Sequence, residues 1–253
     1  MPLRLLFAAL VALVAAAPAA HADPDALWKI VSEKCVPNER EYGQPAPCAL
    51  VDLDGGEVKG YVVLKDITGD TQYLLMPTAK ITGIEDPALI APGAANYFAD
   101  AWKERHFTID AAKASLPRSA ISLAVNSTFG RSQNQLHIHI DCVRADVRDA
   151  VQSHLAAIGG KWTPLPAPLA GHRYRAMRVT GEDLDDANPF TLLADGVPGA
   201  REAMGKQTLV VLGVDLPAGA PGFVILTDQA DLASHDYASG EQLQDHNCAL
   251  AHH

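Results

Sequence analysis

Two histidines, His137 and His139, stand two residues apart in a run that reads Gly130-Arg-Ser-Gln-Asn-Gln-Leu-His-Ile-His-Ile-Asp-Cys142. Apolar and polar residues alternate through it. Gln135, His137, His139 and Asp141 fall on one side, and Leu136, Ile138 and Ile140 on the other, the period of two that marks a β-strand. Such a strand buries its aliphatic face and displays two imidazoles between two polar groups. Like-facing residues repeat about every 6.5–7 Å, so one phosphoryl group can touch several of them. Imidazole has an unperturbed pKa near neutrality, which suits nucleophilic and general-acid work. Imidazole and carboxylate are also good transition-metal ligands, and a strand histidine can be no more than a hydrogen-bonded polar side chain. On spacing alone, these three readings of His137, His139 and Asp141 stand side by side.

The elements that must position this strand can be read around it. Residues 24–36 have the spacing of a short amphipathic helix, with Leu27, Ile30 and Val31 on one face, and a Pro/Gly-rich loop follows to Gly60. Tyr61–Leu64 and Gln72–Met76 read as strands joined by turn chemistry over Asp66–Asp70. A helix is expected from Asn96 to about Ala114, a strand over Ile121–Asn126, and the histidine strand over Gln133–Val143. A helix over Asp146–Ile158 opens with an acid, as the helix dipole favours. Beyond Gly159 the composition shifts. Pro164, Pro166 and Pro168 stiffen the chain, a strand-like piece carries Arg173, Arg175 and Arg178, and residues 189–205 look helical with Pro198 at a boundary. Thr208–Val214 and Gly222–Thr227 read as a hairpin, and Gly240–Leu250 as a terminal helix. The fold class implied is α+β, with the C-terminal part an extension packed on the core.

Composition excludes some partners. The chain of 253 residues carries a net charge of -10 and no basic run, which makes it a poor ligand for nucleic acid or an anionic lipid surface. Met1-Pro-Leu-Arg4, an apolar run from Leu5 to Ala17 and Ala20-His21-Ala22 spell a secretory signal peptide over residues 1–22. Cleavage after Ala22 removes Arg4 and no acid, moving the charge from -10 to -11; an uncleaved anchor is the alternative. An exported chain with four cysteines, Cys35, Cys48, Cys142 and Cys248, is expected to form two disulfides. Three pairings exist. The Pro-rich stretch between Cys35 and Cys48 is easily stapled locally, which favours Cys35–Cys48 with Cys142–Cys248.

The Gly130–Cys142 run resembles the active-site strand of the histidine triad superfamily, His-φ-His-φ-His-φ-φ with a Gly five residues before the first His. Gly130 lies five before Gln135, so Gln135, His137 and His139 take the three positions. Lys65-Asp66-Ile67 and Tyr73-Leu-Leu-Met-Pro77 look like that superfamily's nucleoside-binding segment. More specifically, the chain resembles the CDP-diacylglycerol pyrophosphatase family. Trp28–Asn38, Gly60–Asp66, Gln72–Thr78, Asn126–Cys142 and Gln244–Cys248 carry the likeness.

The resemblance implies a HIT-like antiparallel sheet with flanking helices, a catalytic core over 23–158 and an extension over 159–253. It implies an envelope or periplasmic enzyme that cleaves the lipid nucleotide CDP-diacylglycerol to CMP and phosphatidate at the membrane surface. His137 would be the nucleophile, and His139 would bind phosphoryl oxygens or help orient His137. Ser132 and Asn126 would donate to the phosphates, Asp66 would accept from the ribose, and Lys65 and Arg131 would be phosphate partners. A neutral imidazole avoids the repulsion that a diphosphate exerts on anions, so no metal or cofactor is expected in the chemical step. Gln135 departs from the superfamily's His and can orient but not relay a proton. A register with His139 as nucleophile and Asp141 third remains the alternative. So do a nucleotidyl transferase and a non-catalytic nucleotide- or metal-binding protein. His106, His154, His172 and His246 have no partner spacing and read as ordinary residues, Arg144 and Arg148 as structural ion-pair formers. Trp162, Leu165, Leu169 and Phe190 are candidates for an apolar rim that meets acyl chains.

Overall fold

The computed structural model describes residues 23–252, so the expected signal peptide over 1–22 lies outside the described residues. Nine strands form one open sheet: β1 Leu50–Asp52, β2 Tyr61–Lys65, β3 Tyr73–Pro77, β4 Ile121–Val125, β5 Ile138–Cys142, β6 Thr163–Pro164, β7 Arg175–Thr180, β8 Leu209–Asp215 and β9 Pro221–Thr227. Their order is β1-β2-β3-β5-β4-β8-β9-β7-β6, and every neighbouring pair is antiparallel. The helices are α1 Ala26–Ile30, a π-turn Val31–Cys35, α2 Val36–Tyr42, α3 Tyr97–Lys103, α4 His106–Ala112, α5 Ala145–His154 and α6 Pro189–Gly196. The fold is mixed α+β.

Central strands such as β8 and β9 are rich in Val, Ile, Leu and Phe because both faces of the sheet are covered. On one face Val63, Leu75, Leu123, Ile138, Ile140, Val211 and Ile225 pack beneath Tyr97, Phe98 and Trp102 of α3 and Phe190 and Leu193 of α6. The opposite face carries two separate apolar patches. Val62, Leu64, Leu74 and Met76 lie under the N-terminal helices through Val31, Cys35 and Val36. Ala124, Val210, Leu212, Val224 and Leu226 lie under α5 through Val147 and Val151. β5 runs between β3 and β4, where His139 pairs with Leu74 on one side and Ala124 on the other. The interval between the patches is where the histidines emerge.

Several expected elements differ, each for a tertiary reason. The N-terminal helix runs on to Tyr42. A π-turn just before Pro37 accommodates a residue that cannot join a regular i→i−4 ladder. β1 lies where a loop was expected, paired along β2 from Leu50 to Asp52. The helix expected over 96–114 breaks between Lys103 and His106, where buried Glu104 turns inward to accept from the Tyr61 hydroxyl at 2.8 Å. The histidine strand is regular only from Ile138. Before it, the N–H groups of Asn134 and Leu136 donate to Pro24 and Ile81 carbonyls at 2.6 Å each, so residues 133–137 are irregular. Residues 189–205 give α6 and a separate 3-10 turn, Arg201–Lys206.

No terminal helix spans Gly240–Leu250. Two 3-10 turns, Gly240–Leu243 and Ala249–His252, flank a segment drawn onto the sheet. There Gln244 bridges to Val143 and its Nε2 donates to the Ser122 and His139 carbonyls, each at 3.1 Å. Both expected disulfides are present, Cys35–Cys48 and Cys142–Cys248. Among the described residues no helix is long and apolar enough to cross a membrane. Arg144 and Arg148 make the expected local ion pairs, with Asp146 and Asp149, each at 2.8 Å.

Candidate active site

A pocket of about 520 Å³ opens between the N-terminal helix and the C-terminal segment. Every expected site residue except Gln135 lines it: Lys65, Asp66, Asn126, Arg131, Ser132, His137 and His139. β2 and the turn after it supply Lys65 and Asp66, the end of β4 leads into Asn126, and the loop into β5 brings the rest.

His137 is buried, and its Nδ1 lies 2.6 Å from the main-chain carbonyl of Gln135. A ring nitrogen facing a carbonyl oxygen can only donate to it, so Nδ1 carries the proton and Nε2 keeps its lone pair. The expected orienting role of Gln135 therefore falls to its backbone. Its side chain is buried, donating to the Pro77 and Ala79 carbonyls at 2.9 and 3.0 Å, which braces the end of β3. The His139 ring stands edge-on to His137, centroids 4.9 Å apart. Neither His139 nitrogen has a hydrogen-bond partner among the described residues.

Burial lowers the His137 pKa against the opposing pull of the Gln135 carbonyl. His139 is held well below the ordinary value, first by burial and then by the neighbouring His137 and His246 imidazoles. Both rings are neutral at pH 7. The unfolded chain takes up protons on them near pH 6.5, while the folded chain resists. The stability they allow is therefore complete above that value and is lost as pH falls toward the folded-state values. The parent chain should thus lose more stability between about pH 7 and about pH 5 than a His139→Asn chain does, by at most about 1.4 kcal/mol per pH unit. Urea midpoints at the two pH values measure this, and equal losses would mean that His139 protonates freely in the folded protein.

Asp141, on the same face of β5, does not reach the pocket. Its Oδ1 accepts from the Thr71 hydroxyl at 2.6 Å and the Cys142 N–H at 2.8 Å, and its Oδ2 lies 2.7 Å from His246 Nδ1. The metal reading of His137, His139 and Asp141 therefore lacks its carboxylate. His246, expected to be ordinary, is tied to the site instead. The bond to Asp141 raises its pKa, and its Nε2 lies 3.7 Å from Glu241 Oε1.

Glu241 is the residue that sequence reasoning missed. It lines the pocket with Oε2 3.6 Å from His139 Nε2. A lone Glu about a hundred residues beyond the histidine strand carries no local signal; the Gln244–Cys248 segment nearby was the only pointer. Asn126 fixes it from both sides. The Asn126 amide donates to Glu241 Oε2 at 3.2 Å, and Asn126 Oδ1 accepts the Glu241 N–H at 3.2 Å.

Two expected phosphate partners are partly engaged. The Lys65 ammonium donates to the Asp66 and Gly69 carbonyls at 2.8 and 3.0 Å. The Arg131 guanidinium holds Glu85 through two bonds of 2.6 Å. Asp66 Oδ1 caps the turn by accepting from the Thr68 N–H at 3.2 Å. Asp66, His139 and Glu241 each offer a ligand atom within 4.8 Å of the others, a set that could hold a metal ion.

The apolar rim differs from expectation. Leu165, Leu169 and Phe190 are buried core residues, because the large side chains after Gly159 are spent packing on the sheet. Trp162 lines a different groove, with Met177 and Leu192. At the pocket itself the apolar wall comes from Ala26, Leu27 and Ile30 of α1, with Leu64 and a fully exposed Ile67 at the lip.

A family model described as CDP-diacylglycerol pyrophosphatase matches residues 22–252. A curated protein of Yersinia pestis named CDP-diacylglycerol pyrophosphatase is 45% identical over 229 residues, 90% of this chain and 86% of the relative.

Proposed function

The chain belongs to the CDP-diacylglycerol pyrophosphatase family, and we propose that it hydrolyses the diphosphate bond of CDP-diacylglycerol through a nucleotidyl-histidine intermediate on a HIT-like scaffold. The observation that carries this reading is the 2.6 Å contact between His137 Nδ1 and the Gln135 carbonyl, which calls for a proton on Nδ1 and leaves Nε2 as the unprotonated nucleophile. Nε2 attacks the phosphorus of the CMP moiety, a P–N bond forms, and the P–O bond to phosphatidate breaks with the electron pair leaving on phosphatidate. Water then attacks the same phosphorus, the P–N bond breaks, and CMP leaves. The net reaction consumes one water and yields CMP and phosphatidate.

The other pocket residues serve these two steps. His139, neutral and without a partner, binds non-bridging oxygens, and Ser132 and Asn126 add hydroxyl and amide donors where charge develops. Glu241, beside His139, is suited to accept the proton of the attacking water. Asp66 accepts from the ribose hydroxyls, and Lys65 lies near the phosphates. On this reading residues 23–158 form the catalytic core, and the segment from 159 onward extends it and contributes Glu241.

Rapid quench with CDP-diacylglycerol labelled in its CMP phosphate tests the intermediate. Label should remain on denatured protein at alkaline pH and leave in acid, as a phosphoramidate does. Turnover with no protein-bound label at any time would make water the direct nucleophile. An added alcohol that diverts label into a CMP ester would move the protein to the transferase class.

The diacylglycerol end leaves the pocket over Leu27, Ile30 and Ile67. An Ile67→Ser chain should show a KM raised at least about tenfold for CDP-diacylglycerol in micelles, since burying one aliphatic side chain is worth about 1.5–3 kcal/mol and about 1.4 kcal/mol is a factor of ten. Cleavage of a water-soluble CDP diester should be unaffected, and equal losses on both substrates would make the lip merely structural.

A further inference from the structure

A second cluster of donors lies apart from the pocket. Asp228 directly follows β9, His172 closes a tight turn with Leu169 ahead of β7, and Asp236 ends the turn that begins at Asp231. Each carboxylate has one oxygen committed to the main chain. Asp228 Oδ1 accepts from the Gln229 N–H at 2.8 Å and Asp236 Oδ1 from the Ala238 N–H at 2.9 Å. The remaining oxygens converge on one imidazole nitrogen, with Asp236 Oδ2 2.6 Å and Asp228 Oδ2 4.0 Å from His172 Nδ1. All three donor atoms fall within 4.8 Å of one another. Asp228 is 8% exposed, and its inward Oδ2 has no hydrogen-bond partner among the described residues. A buried carboxylate oxygen left without a donor is costly.

We propose that His172, Asp228 and Asp236 bind a divalent transition-metal ion, with zinc the ion their donor set fits. One imidazole nitrogen and two carboxylate oxygens suit zinc, whereas calcium and magnesium favour all-oxygen sites. Donors bound to one zinc at about 2.0–2.2 Å lie roughly 3.3 Å apart, so Asp228 Oδ2, 4.0 Å from His172 Nδ1, closes on that nitrogen by less than about an ångström, and Asp236 Oδ2, at 2.6 Å, opens from it by a similar amount. The proton between His172 and Asp236 leaves as the ion enters. His172 is 26% exposed on its side chain, which leaves room for water as the fourth ligand.

The ion acts on the pocket wall rather than on the reaction. Asp236 leads into Tyr237 and Ala238, whose carbonyls accept from the Ser127 hydroxyl and the Ser127 N–H. Three residues later comes Glu241. Zinc therefore ties the end of β9 and the turn before β7 to the loop that carries Glu241 into the pocket.

Zinc titration of the full mature chain by calorimetry, with metal analysis after dialysis, tests the site. Asp228→Asn should remove one bound zinc, with an affinity loss beyond the roughly 10–100-fold seen for outer-sphere partners. It should also abolish a zinc-dependent rise in Tm. His139→Ala should keep that zinc. Should Asp228→Asn fail to fold, as judged by circular dichroism, His172→Gln at its partly exposed position gives the same readout. A parent chain that binds no zinc would overturn the proposal. So would calcium binding tighter than zinc, or a zinc lost in His139→Ala and kept in Asp228→Asn.

Discussion

A His137→Ala chain is expected to turn over CDP-diacylglycerol at least about 10⁵-fold more slowly than the parent, the scale on which loss of the nucleophile proposed above would act. No other imidazole can replace it in place. His139 lacks the carbonyl that fixes the His137 tautomer, and His246 is committed to Asp141. Gln135→Ala is the control, because it deletes a side chain that braces Pro77 and Ala79 and leaves the main-chain carbonyl on His137. Its activity should fall by no more than about a hundredfold, the low end of what an orienting or acid–base contact supplies. Steady-state kcat on the two purified chains decides the matter. An active His137→Ala beside a dead His139→Ala would transfer the nucleophile to His139 and install the alternative register.

Opening the Cys142–Cys248 bridge is expected to have the largest effect on stability. The bridge spans a sequence separation of 106, and closing a loop of about 100 residues is worth about 4.7 kcal/mol in the chain-entropy model. The Cys35–Cys48 bridge spans 13 and is worth about 3 kcal/mol. Against a total of about 5–15 kcal/mol for an ordinary domain, the longer bridge is a large share. At about 2–4 °C per kcal/mol for a chain of this size, Cys142→Ser with Cys248→Ser should lower Tm by about 10–20 °C. The same change should cost activity, because the bridge holds the segment with Gln244 and His246, next to Glu241, against β5. Cys35→Ser with Cys48→Ser should lower Tm by less. A larger drop from the shorter bridge, or none from either, would contradict this ordering in calorimetric scans.

Much of the candidate site was legible in the sequence because its signals are local. Alternation placed Ile138 and Ile140 in the core and His139 and Asp141 on the opposite face, since a strand's side chains alternate whatever surrounds it. The spacing from Gly130, with the family likeness, brought His137, Ser132, Asn126 and Asp66 to one pocket. The strands expected at β2, β4, β8 and β9 end within a residue or two of those observed, and even cysteine count with local loop stiffness favoured the pairing observed. What escaped depends on contacts between distant segments. Glu241 enters only because Asn126 and the C-terminal bridge pull its turn onto the sheet. His246 is tied in by Asp141, and that bond takes Asp141 out of the pocket. The Gly240–Leu250 helix gives way for the same reason: its residues gain more from pairing with Val143, Ser122 and His139 than from closing their own turns. Periodicity reports which face a residue prefers within its own element. Which elements then share that face is set by burial and hydrogen bonding across the whole sheet, and only the folded chain decides it.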